Sequence, residues 1–255
     1  MSKNVFKREV IYMVITMISL CIPTMDRYDK FLSKTLHSYV DNPYINEIII
    51  CDENGEDVKK IKNVWQSEKL KLHTNEKRLG PFLNKLKCCC LAQNEWIALI
   101  DSDNFADTNY FQACKEFIQQ QSFTKKNVIL APVAGMPNYD FSNLLNVPIS
   151  KETMKTNNNI SNMLLNTGNF VINKDLINHI DIRQESEIIE HSSACDVLLF
   201  TTLLLEQLDM QMYIVPNMKY NHTTHSGSIY LTTIDQTRKY AEQVYARTNR
   251  LRSHT

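Results

Sequence analysis

The chain has 255 residues and no net charge at pH 7, with 28 Lys and Arg against 28 Asp and Glu. That length gives one large domain or two small ones with ample core. A hydrophobic content of 43% with 22% charged residues excludes a disordered chain, and the lack of basic excess excludes a nucleic-acid partner held by charge.

Seven cysteines are present, an odd number, several of them inside apolar runs. They read as reduced thiols packed as small hydrophobes, which places the chain in a reducing, cytoplasmic compartment, with peripheral association to a membrane left open. Adjacent Cys88, Cys89 and Cys90 lack the spacer of a zinc knuckle.

Lys3, Lys7 and Arg8 precede an apolar run from Val10 to Pro23, in the manner of a signal peptide or anchor. The run is shorter than the roughly 20 residues of a membrane span and has no small-residue cleavage site. A buried strand over 11–22 is the expectation, with no transmembrane segment. Residues 26–40 carry Tyr28, Phe31, Leu32, Leu36, Tyr39 and Val40 at helical spacing, and Asn42-Pro43 ends that helix. A second buried strand covers 45–51 and delivers Asp52. Glu53-Asn54-Gly55 makes a turn, then a helix over about 56–65 and a short strand near 69–73 follow. Gly80-Pro81 opens a helix to about Gln93, with Pro in the first turn. Strand 96–100 ends in Asp101 and Asp103.

The second half is less regular. It reads as a helix over 107–121, a strand at 127–131, a long polar loop over 135–162, and a strand over 163–172 with Asn166-Thr167-Gly168-Asn169 in its middle. An amphipathic helix over 195–208, a strand at 212–215, a polar segment with His222 and His225, and a helix over 232–250 complete the chain. Alternating strands and helices imply βαβ units, a mostly parallel central sheet and an α/β fold in one domain over 1–255. Asp52, Asp101 and Asp103 then converge on one rim, where open α/β sheets bind ligands. Two carboxylates suit Mg²⁺ or Mn²⁺, with substrate phosphates completing the shell. The Asp-x-Asp triplet alone is a weak signal, and its place at the end of a strand is what raises it.

These residues, in collinear order over about 10–230, resemble the nucleotide-sugar glycosyltransferases of the GT-A fold, similar to family 2. Ile18 to Thr24 looks like the family's first strand and "IPTYN" turn, with Met25-Asp26-Arg27 a mild departure. Glu47 to Glu53 looks like the second strand, and Gly80 to Lys85 is similar to the "GPxxARN" helix start. Glu95 to Asn104 matches "EYIxFLDSDD" and is the most specific block. Asn166 to Ile172 resembles "TGNxLIR", and Ser226 to Ser228 after His225 resembles the "HxxS" tail.

The resemblance implies a Rossmann-like GT-A sheet with an irregular acceptor-side second half. The nucleotide-binding half would cover about 10–104 and the acceptor-binding half about 105–230. It implies a nucleotide-diphosphate sugar as donor, UDP by analogy, and a carbohydrate, glycoprotein or glycolipid acceptor. Asp103 would bind Mn²⁺ or Mg²⁺. Asp101 would touch the ribose or the metal shell, and Asp52 the base. Thr24 and Arg27 would line the nucleotide pocket, and Asn84 would position the nucleotide or serve as a polar helix-face residue. Asp196, alone where the family often has an acidic pair, would be the general base of an inverting transfer, or else the N-cap of its helix. His225 would close the metal shell, with His222 its rival and a surface histidine the plain alternative. Trp65 and Trp96 read as packing residues. The rival functions are a nucleotidyltransferase, against which the Gly-free loop after the first strand argues, and a silent binding or scaffold protein of the same fold.

Overall fold

Residue alternation along the strands sends apolar side chains to both faces of one sheet, and helices cover each face. The computed structural model describes residues 16–121, 123, 127–191, 193 and 195–253. Its first half is βαβ throughout: β1 (Ile18–Thr24), α1 (Ser33–Val40), β2 (Ile45–Asp52), α2 (Glu56–Val64), β3 (Leu70–Thr74), α3 (Pro81–Leu91) and β4 (Trp96–Leu99). These four strands lie in the order β3-β2-β1-β4 and pair in parallel. The strand expected from residue 11 is described from Ile18, and residues 11–15 lie outside the described residues.

The second half runs α4 (Thr108–Gln121), β5 (Val128–Met136), β6 (Tyr139–Asp140), α5 (Lys151–Thr156), α6 (Asn162–Asn166), β7 (Phe170–Asn173), α7 (Ser186–His191), α8 (Asp196–Gln207), β8 (Gln211–Asn221) and α9 (Ile229–Arg250). β7 enters antiparallel between β4 and β5, and β8 runs parallel to β5 on its far edge. The sheet is α/β and parallel on its first-half side, with an antiparallel strand at its centre.

Ile18, Leu20, Ile22, Ile48 and Ile50 pack on one face against Leu36 and Tyr39 of α1, Val58 of α2 and Phe111 of α4. Cys21, Ile49, Cys51 and Ile97 pack on the other against Phe82 and Cys88 of α3 and Leu198 of α8. All seven cysteines are free, and six of them are buried.

Three expectations change. The helix over 26–40 begins as a π-helical turn at Tyr28–Leu32, where both Phe31 and Leu32 donate to the Arg27 carbonyl. The loop over 135–162 holds β6, a 3-10 turn, α5 and the start of α6. The two helices are set by caps rather than by periodicity: the Ser150 hydroxyl accepts from Thr153 N–H and the Ser161 hydroxyl from Leu164 N–H. The strand over 163–172 is therefore helix to Asn166, then a turn with Gly168 and Asn169 at positive φ, and strand only from Phe170. Among the described residues no helix is long and apolar enough to cross a membrane.

Candidate active site

A cavity of about 530 Å³ opens at the carboxyl ends of β1 and β4. Its walls include Arg27 beyond β1, Asn84 and Lys85 on α3, Asp101 and Asp103 beyond β4, Asp196 at the start of α8, His222 beyond β8 and Tyr245 on α9. Residues more than two hundred positions apart in the chain thus share one site.

Asp101 is fixed from behind. Its N–H donates to Asn169 Oδ1 at 3.0 Å, while the Asn169 carbonyl accepts from Tyr110 Oη at 2.7 Å. Gly168, at φ +60°, lies beneath: an added Cβ would stand 3.2 Å from Val197 Cγ1 and 3.9 Å from Asp101 Oδ2. Both the left-handed backbone and the close approach call for glycine here.

The Asp101–Asn104 turn is tied to the segment after β8. Asn104 Oδ1 accepts from Thr223 N–H, and Phe105 and Asn221 exchange backbone hydrogen bonds. This pairing carries His225 to Asp103, with Nε2 3.0 Å from Oδ2. The His225 ring lies 4.9 Å from that of Phe31, with the Arg27 guanidinium 5.8 Å from the Phe31 ring on its way to the Gly227 carbonyl at 2.9 Å. His222 lines the cavity, its ring edge-on to Tyr139 at 4.8 Å, and its buried Nδ1 has no hydrogen-bond partner among the described residues. Burial lowers its pKa from the ordinary 6.5.

Lys85 joins the two sides of the site. Its ammonium is 2.9 Å from Asp101 Oδ1 and 2.7 Å from Asp196 Oδ2. Burial alone would lower the Lys85 pKa, but the two carboxylates outweigh it and raise it. Burial raises Asp196 above the usual carboxylate value, and Lys85 pulls it part of the way back. Asp196 is not the helix cap: Cys195 occupies that position, and Asp196 is the first helical residue.

The expected trio of Asp101, Asp103 and His225 does not form a three-ligand cluster; Asp101 pairs with Lys85. Among the described residues no group of three or more His, Cys, Asp or Glu side chains is arranged to hold a metal ion. Asp103 and His225 stand side by side as an oxygen and a nitrogen donor that could hold an ion whose other ligands come from phosphates and water.

Three expected nucleotide contacts are engaged inside the protein. Asp52 is fully buried and does not line the cavity; its carboxylate accepts from the N–H groups of Val58 and Asn54 and secures the start of α2. The expected contact of Asp52 with a base is therefore corrected, and Glu53 is the residue of this pair that reaches the cavity. Thr24 lines the cavity, but its hydroxyl donates to Asp57 at 2.6 Å. Asn84 also lines it, while donating to the Cys51 carbonyl and accepting from Asn75.

Two residues that shape the cavity region escaped sequence reading. Asp57 takes hydrogen bonds from Thr24 and from the N–H groups of Arg27 and Tyr28, and so shapes the first loop. Lys85 could have been found: it shares a helical face with Phe82 and Cys89, and a cation among buried apolar residues requires a partner.

The sequence matches no curated protein. By structure the chain is similar to TarS of S. aureus. Against TarS 1–349 the TM-score is 0.60 at 15% identity, covering 91% of this chain and 65% of that one. Against TarS 1–349 in complex with UDP-GlcNAc the values are 0.60, 15%, 91% and 66%; against its complex with UDP they are 0.59, 14%, 92% and 69%. The chain thus spans about two thirds of that TarS segment, and at this identity the likeness is one of fold. The model of glycosyl transferase family 2 matches residues 19–179, which include Lys85, Asp101 and Asp103 and stop short of Asp196, His222 and His225. Matched over more than half its length, this chain belongs to glycosyl transferase family 2.

Proposed function

We propose that this chain moves a sugar from a nucleoside-diphosphate donor, UDP-linked, to an acceptor hydroxyl with inversion, using Asp196 as general base. The observation that carries this reading is one cavity lined by Asp103 on the strand-end side and Asp196 on the α8 side, with His225 against Asp103 behind the lining. The fold neighbours in complex with UDP and UDP-GlcNAc support the choice of donor.

Asp103 and His225 would hold a Mn²⁺ or Mg²⁺ ion. When bound, such an ion neutralises charge on the diphosphate leaving group. Arg27 adds fixed positive charge on the same side. The acceptor oxygen forms its bond to the anomeric carbon while the bond from that carbon to the diphosphate oxygen breaks, its electron pair leaving with UDP. The acceptor proton passes to the Asp196 carboxylate. Attack opposite the leaving group inverts the centre, and no covalent enzyme intermediate is needed.

Calorimetric titration with UDP, GDP and dTDP, with and without Mn²⁺, tests the donor side. The expected result is UDP binding that strengthens with Mn²⁺. Binding of none of the three would overturn the reading.

A further inference from the structure

We propose that Lys85 is a positioning residue for Asp196, fixing the acceptor-side carboxylate against the donor side of the cavity; this rests on the transfer reading above. The ammonium touches both Asp196 and Asp101, and its side chain is only 10% exposed. Three elements meet at this one cation: α3 supplies Lys85, the end of β4 supplies Asp101, and the first turn of α8 supplies Asp196.

The geometry is over-determined. The Phe82 ring of α3 packs edge-on against Phe200 of α8 at 5.6 Å, one turn from Lys85 and Asp196 respectively. Asn84, next to Lys85, is bonded to the end of β2. Helix α3 therefore cannot shift its ammonium relative to α8 without breaking buried contacts. An aspartate at a helix start has several side-chain rotamers open to it, and the ammonium selects the one that faces Asp101. A lysine has three donors, enough to hold both carboxylates together. Proton acceptance by a base tolerates little displacement from its productive position, so the partner that fixes the rotamer bears on the rate although it touches no reacting atom.

The test uses UDP-GlcNAc with water as acceptor and Mn²⁺ present. Water oxygen bonds to the anomeric carbon, UDP leaves with the bonding pair, and the proton goes to Asp196. UDP release gives kcat and KM, and calorimetry gives UDP affinity, for the unmutated protein, Lys85→Met, Asp196→Asn, the double variant and Lys85→Arg. Lys85→Gln replaces Lys85→Met if the apolar variant does not fold.

The expected result for Lys85→Met is a fall in kcat of about 10²-fold with UDP affinity changing far less than kcat. The double variant should be no slower than Asp196→Asn alone, and Lys85→Arg, able to bridge both carboxylates, should recover most of the lost rate. UDP affinity falling together with kcat would make Lys85 a donor ligand and overturn the proposal. So would additive losses in the double variant. UDP binding without turnover in the unmutated protein would overturn it alone, whereas absence of UDP binding would remove the transfer reading and this inference with it.

Discussion

Asp103 Oδ2 and His225 Nε2 lie 3.0 Å apart although 122 positions separate them in the chain. The contact joins the turn after β4 to the segment after β8, and under the transfer reading it is the pair that would hold a divalent ion. Asp103→Ala and His225→Ala should each remove the gain in UDP affinity that Mn²⁺ confers. Outer-shell partners alone are worth ~10–100-fold in metal affinity, so a direct ligand should cost at least as much. Calorimetry with and without Mn²⁺ checks this; a variant that keeps the full metal-linked gain would remove that residue from the site.

Asp196→Asn should lower kcat by about 10²–10⁴-fold while UDP still binds. In the proposed transfer the base acts as a carboxylate, so the rate should rise with pH and level off above the Asp196 pKa. Burial raises that pKa, so the acid limb should lie above the ordinary carboxylate value of 3.8. A pH–rate profile reads the limb directly, and a limb at or below 3.8 would contradict the assignment.

Asp57 is fully buried and accepts hydrogen bonds from the Thr24 hydroxyl and from two backbone N–H groups of the first loop. Asp57→Ala would leave these donors without a partner, at a cost of ~3 kcal/mol. Urea unfolding should show the midpoint falling with an unchanged slope. UDP affinity should fall as well, since Arg27 loses its backbone anchor.

His222 carries its own pH signature. Its native pKa is lowered by burial from 6.5, so between those two values the unfolded chain binds the extra proton. Stability should therefore decline as pH falls below about 6.5. His222→Phe should remove that part of the slope, measured by thermal unfolding between pH 7 and pH 5.

The parallel half of the fold was legible because its strands are short apolar runs ending in acids, separated by helices with clear periodicity. The rim position of Asp101 and Asp103 followed from that pattern; the helix that presents Asp196 was legible as an apolar run, but it is buried on all sides from Asp196 to Leu205 rather than amphipathic. The second half was harder to read because local chemistry there overrides periodicity. Two serine caps make α5 and α6 inside a polar stretch. The outer part of β8 alternates buried Met218 and Tyr220 with exposed Asn217 and Lys219, a period-two signal hidden by Pro216 and by the bulge opposite, between Pro132 and Ala134. Asp52 misled because a strand-end acid can serve the next helix as well as a ligand. The buried face of α3 marks Lys85 as needing a partner, but its partners were not legible because they lie on two other elements.

Arg247 of α9 is clamped by Glu185 ahead of α7 and by Glu206 of α8, and two positions earlier Tyr245 forms part of the cavity wall. This clamp has a consequence for biogenesis. A nascent chain that has emerged only through α8 already contains Asp101, Asp103, Lys85 and Asp196, but it has neither His225 nor the wall that α9 supplies. A chain stopped directly after α8 would thus lack β8, the strand that edges β5, together with His225 and the α9 part of the cavity wall.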